Sequence, residues 1–163
     1  MIRTALVWLR TGQLWFSAIA LIIMMCVTVA DVFLRYVFNS PIRSSYDLVE
    51  ATLVAFVFHG MSSAFLYRRN IVIDLIDSFA SPRFIAVLIR ISDVLAVIAL
   101  VLLFYAMIKP AMQAYAYGDV KQELGLPIYI LWGIALAGMA GTIACAVGRI
   151  FLKLADPGSE RHA

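Results

Sequence analysis

The chain has 163 residues, of which 64% are hydrophobic and 14% charged, with a mean hydropathy of +0.95. An ordinary soluble domain is about half apolar and about a quarter charged, so this composition argues against a water-soluble globule and for a chain dissolved in lipid. The net charge of +3 implies no nucleic acid partner, because an excess of Lys and Arg on one side is what orients a membrane protein.

Uncharged stretches recur at 11–30, 51–67, 94–108 and 124–148. A spanning helix needs roughly 20 largely apolar residues at ~1.5 Å each to cross about 30 Å of hydrocarbon. The first and last runs reach that length unaided. The second and third reach it by admitting charges at their starts, Asp47 and Glu50 before one, Arg90 and Asp93 before the other. The expected fold is therefore an all-α membrane protein forming a single integral membrane domain over 1–163, with four transmembrane helices near 12–36, 46–67, 83–108 and 127–152. The first run is longer than the roughly 7–15 residues of a secretory signal core, and Phe33 and Leu34 continue it. It is expected to stay as an anchor.

The first helix closes on "DVFLRYVFNSP", residues 31–41. Asp31 and Arg35 are four apart with the acid first, the favourable order for a helical ion pair. Near the end of a span such a pair anchors the helix at headgroup level or marks a contact with another chain. A short turn follows, Asn39-Ser40-Pro41-Ile42-Arg43, and Ser44-Ser45-Tyr46-Asp47 then opens the second helix. There the Ser44 hydroxyl is placed to accept from free backbone N–H groups, while Asp47 and Glu50 sit in the positive first turn.

After Arg68 and Arg69, Val72, Leu75, Ile76 and Phe79 share one helical face, with Asp74, Asp77, Ser78 and Ser81 on the other. A short amphipathic interfacial helix near 71–80 is expected, lying on the membrane or, because its polar face is acidic, against another protein. Ser81-Pro82 reads as the cap and first position of the third helix. That helix runs into Lys109-Pro110, and Gly118, Gly125 and Pro127 break the next connection. The fourth helix carries Gly133, Ala137, Gly141 and Cys145 at four-residue spacing, with Gly138 and Thr142 as a second row. Small residues so placed permit close helix–helix approach in lipid.

Nine Lys and Arg residues flank the two termini and the middle connection (Arg3, Arg10, Arg68, Arg69, Arg83, Arg90, Arg149, Lys153, Arg161), against four at the other two connections (Arg35, Arg43, Lys109, Lys121). Both termini are thus expected in the cytoplasm.

The chemistry-bearing residues are few. Cys26 and Cys145 form no C-x-x-C pair and read as small buried apolar residues. Only His59 lies in a span, whereas a membrane cytochrome would pair axial histidines. No zinc spacing, phosphate loop or nucleophile elbow occurs, so no catalytic residue, metal or cofactor is expected. His59 has two readings: a neutral imidazole hydrogen-bonded to a neighbouring helix, or a proton or substrate role, since an ionisable group in a span is a functional candidate by default.

The order of these pieces resembles the small membrane subunit (Q subunit, DctQ-like) of tripartite ATP-independent periplasmic (TRAP) transporters, over roughly residues 14–150. "RYVFNSPI" at 35–42 is close to the family's Arg-Tyr-aromatic-Phe phrase and its Pro-containing turn. Asp47 matches the second acid of the phrase opening helix two, with Ser44 and Tyr46 standing where the family usually has Trp and Glu. "NIVIDLI" at 70–76 keeps Ile71, Asp74 and Leu75 of the phrase after helix two, with Asn70 in place of His. "GLPIYILW" at 125–132 resembles the opening of helix four.

The resemblance implies a non-catalytic subunit in the bacterial inner membrane that scaffolds a larger membrane subunit carrying the sodium and substrate sites. A periplasmic solute-binding protein would deliver an organic acid. Besides lipids, contacts with such partners are expected at Asp31, Arg35, Asp47, Glu50, Asp74, Gly133, Ala137 and Gly141. The alternative is a free-standing four-helix membrane protein moving protons or electrons through His59. A transporter in its own right would carry an internal repeat or broken helices with midplane polar groups, and the sequence has neither.

Overall fold

The computed structural model describes residues 2–66 and 82–152; the expected interfacial helix near 71–80, with Asp74, lies outside the described residues. Four helices make up the described part: α1 (Ile2–Phe38), α2 (Ser45–Leu66), α3 (Pro82–Tyr117) and α4 (Ile128–Leu152). Among the described residues three stretches have the length and apolarity to cross a membrane, Leu6–Phe38, Arg90–Tyr117 and Ile128–Gly148. The expectation of four such spans is thus met by three on that measure. α2 is not among those three; its two charges, Asp47 and Glu50, lie in its first two turns.

Two helices outrun the apolar runs that announce them. α1 begins at Ile2 rather than near 12, because Arg3 and Arg10 interrupt hydrophobicity without interrupting helical hydrogen bonding. α3 continues past Lys109 and Pro110 to Tyr117. Pro110 removes one backbone donor, a loss a membrane helix tolerates where neighbours hold the segment. Here Ala114 is buried, and the Tyr115 and Tyr129 rings meet edge to face at 5.5 Å.

The helix ends follow from local chemistry. Asn39 takes φ 50° and the Ser40 N–H reaches back to the Leu34 carbonyl at 3.2 Å, ending α1 before Pro41. Gly118, at φ 65°, ends α3 with the Asp119 N–H on the Ala114 carbonyl at 3.3 Å. Only a residue content in the left-handed region serves there.

α1 packs on α2, α2 on α4 and α3 on α4, with a lighter contact between α1 and α4. On α1 the buried and half-buried residues Gln13, Ser17, Ala20, Met24, Val27 and Asp31 recur at alternating four- and three-residue steps. That is the 3.5-residue repeat of long helices packed side by side. α4 divides its circumference among three neighbours. Gly138 and Thr142 face α2 at Phe58, Gly141 and Gly148 face α1 at Gln13 and Leu6, and Met139 and Ala146 join Leu100 of α3 in the apolar core.

Candidate functional site

At one end of the bundle four polar side chains of the first two helices and their turn hold two loops. Asp31 is buried although it closes a membrane-length helix. One carboxylate oxygen accepts from the Ile42 N–H at 2.8 Å and the other from Arg35 Nη2 at 2.7 Å. The Asp31 side chain is 9% exposed and that of Arg35 58%, so the acid belongs to the fold while the guanidinium faces outward. Asp31 thus anchors the 39–44 turn against the end of α1, which the i,i+4 pattern alone does not reveal.

Asp47, also buried, accepts from the Glu123 and Leu124 N–H groups, both at 3.1 Å. Ser44 was expected to cap its own helix; its hydroxyl instead donates to the Glu123 carbonyl at 3.2 Å. Glu50 is paired with Lys121. The connection they grip is a tight reversal. The Lys121 N–H meets the Leu126 carbonyl at 2.8 Å and the Ile128 N–H meets the Asp119 carbonyl at 2.9 Å, Val120 bridges Pro127, and Gly125 turns at φ 66°. The acidic opening of α2 is therefore a clamp on the α3–α4 connection. It leaves Glu50 part-exposed.

Deeper in the bundle the polar side chains are bonded to backbone. Ser17 donates to the Phe56 carbonyl at 2.9 Å, Ser62 to the His59 carbonyl at 2.9 Å, and Thr142 to the Gly138 carbonyl at 2.9 Å. Gln13 Nε2 reaches the same Gly138 carbonyl at 3.3 Å, while its buried Oε1 has no hydrogen-bond partner among the described residues. His59 Nδ1 lies 3.1 Å from the Ala55 carbonyl of its own helix, not a neighbouring one. Since a carbonyl only accepts, that nitrogen carries the proton. The imidazole rests against Phe16 of α1 at 4.6 Å between centroids and over Gly138 of α4. Among the described residues no three His, Cys, Asp or Glu side chains converge to hold a metal ion.

The small-residue row of α4 does not share one face. Four-residue steps advance about 40° round a helix of 3.6 residues per turn, so the row spirals. Gly133 and Ala137 are exposed, whereas Gly141 and Cys145 are buried. Space is open where a Cβ on Gly133 would stand, but one on Gly141 would overlap the Gln13 amide. Exposed on the outer side are Gly133, Ala137, Ala140 and Ala144. Cys26, expected inside, is exposed, and Cys145 is buried.

Gln13 and Ser17 were missed as members of the interior because they lie within the uncharged run at 11–30. Their signal is the alternating four- and three-residue spacing that continues through Ala20 to Asp31.

Residues 24–156 match the family model described as "Tripartite ATP-independent periplasmic transporters, DctQ component". No curated protein and no solved structure matches.

Proposed function

The chain belongs to the DctQ family, the small component of tripartite ATP-independent periplasmic transporters, and from that premise we propose that it is a non-catalytic scaffold for the large membrane subunit. The family match over 24–156 carries this reading. The arrangement of polar groups supports it: Ser17, Ser62 and Thr142 bond to the chain's own backbone, as do Asp31 and Asp47. Those groups are spent on holding helices and loops together instead of being presented to an ion or an acid.

In this reading all four helices cross the inner membrane and both termini are cytoplasmic. The bonds from Ser44 and Asp47 to Glu123 and Leu124 support that arrangement, because they require the α1–α2 and α3–α4 connections to lie at the same end of the bundle. The nine-to-four distribution of Lys and Arg makes that end periplasmic. The large subunit carries the sodium and substrate sites, and a periplasmic binding protein delivers an organic acid. Of the residues expected to meet partners, Arg35 and Glu50, part-exposed at the outer end, and Gly133 and Ala137, open on α4, are the best placed. Asp31, Asp47 and Gly141 act behind them as supports, and Asp74 remains a contact candidate.

Affinity purification of the chain from its native membrane under mild detergent tests the reading. The large membrane subunit is expected in stoichiometric amount. Recovery of the chain alone under conditions that preserve other membrane complexes refutes the scaffold.

A further inference from the structure

α1 has a back as well as a seam. Opposite the residues that meet α2 run Trp8, Trp15, Ile22, Val29 and Tyr36 at strict seven-residue intervals, and all five are 60–84% exposed. No other large apolar side chain between Trp8 and Tyr36 reaches that exposure. Because seam and back share the same seven-residue repeat, the back stays diametrically opposite the seam as the helix advances. The row carries no charge. Its ends are aromatic and its middle aliphatic.

The spacing of the aromatic ends distinguishes what covers the row. Trp15 to Tyr36 is about 32 Å of helix and Trp8 to Tyr36 about 42 Å. A bilayer measures about 30 Å across its hydrocarbon and about 40–45 Å with its headgroup regions. Trp and Tyr prefer those two boundaries, where the ring is apolar and the N–H or O–H is wet. A helix of another protein would impose no such spacing, and close helix packing favours small residues, of which this row has none.

We propose that the α1 row from Trp8 to Tyr36 is the lipid-facing side of the subunit in the assembled transporter, fixing the depth of α1 in both leaflets, so that the large subunit is met elsewhere. The inference rests on the scaffold reading only for the identity of that partner.

The test uses Trp15 as the sole tryptophan of the chain, made by Trp8→Phe and Trp132→Phe, with the same preparation carrying Trp15→Phe as the blank that subtracts any partner's tryptophans. The protein is purified from its native membrane with whatever it binds and reconstituted in phosphatidylcholine vesicles with lipid brominated at the 6,7 positions of the acyl chain. Half of the preparation is first stripped to the isolated chain. The ratio of Trp15 quenching in the complex to that in the isolated chain is expected to be about 1, as for a ring that sits in lipid in both. A second single-tryptophan form, with Ile22→Trp, reads the middle of the row and should respond alike. Loss of quenching at either position on assembly makes the row a protein interface and overturns the proposal. Should nothing co-purify, the scaffold reading fails by that result, while weak quenching of Trp15 in the same vesicles would independently overturn lipid contact.

Discussion

Asp47 shows what a buried carboxylate does at the start of a bundle helix. It replaces water for two backbone N–H groups of a loop, and leaving a buried donor unpaired costs about 1–3 kcal/mol. Asp47→Ala is expected to free the 119–127 connection, making it cleavable by protease added outside spheroplasts, while Asp47→Asn, whose amide oxygen still accepts, gives an intermediate rate. An unchanged cleavage rate in Asp47→Ala would show that the clamp holds nothing.

Gly141 and Gly133 make a second contrast. Gly141→Ala forces a methyl into the Gln13 amide and should lower the thermal stability of the purified chain, by about 1–3 kcal/mol as for other overpacked sites. Gly133→Ala meets open space and should be neutral or stabilising by up to about 1 kcal/mol, the difference in helix propensity. Equal melting temperatures for the two variants would contradict the assigned faces.

At the scale of elements, helix positions were legible because lipid demands long apolar runs, and those runs are the loudest pattern in the sequence. Their ends were not. Arg10 and Pro110 interrupt apolarity, yet α1 and α3 pass through them, because a backbone leaving hydrocarbon can remain helical. The partners of the end groups were hidden for another reason: Asp31 finds Ile42, and Asp47 finds Glu123 and Leu124, at separations no short-range pattern encodes. The α4 row misled because equal four-residue steps look like a stripe in sequence and are a spiral in space.

α3 is the helix least enclosed by its neighbours, held on α4 through Leu100 against Met139 and Ala146. Leu100→Ala is expected to loosen it alone, seen as faster hydrogen exchange around Leu100 with α1 and α2 unchanged. The cost should fall at the low end of the about 2–5 kcal/mol found for soluble cores, since lipid replaces the lost contact with material equally apolar. Uniform exchange changes through all four helices would show that α3 is integral to the bundle.

For the whole molecule, topology and partnership are linked. After Cys26→Ser and Cys145→Ser, single cysteines at Ser40 and Glu123 should both react with an impermeant maleimide from the periplasm, and one at Arg3 should not. Opposite labelling of Ser40 and Glu123 would break the outer clamp as well as the orientation.

On the scaffold proposal this chain supports transport without performing it. Reconstitution in liposomes under an inward sodium gradient measures that directly. The purified chain alone should take up no organic acid, the large membrane subunit with loaded binding protein should transport poorly, and adding this chain should restore uptake. Uptake by this chain unaided would refute the scaffold role.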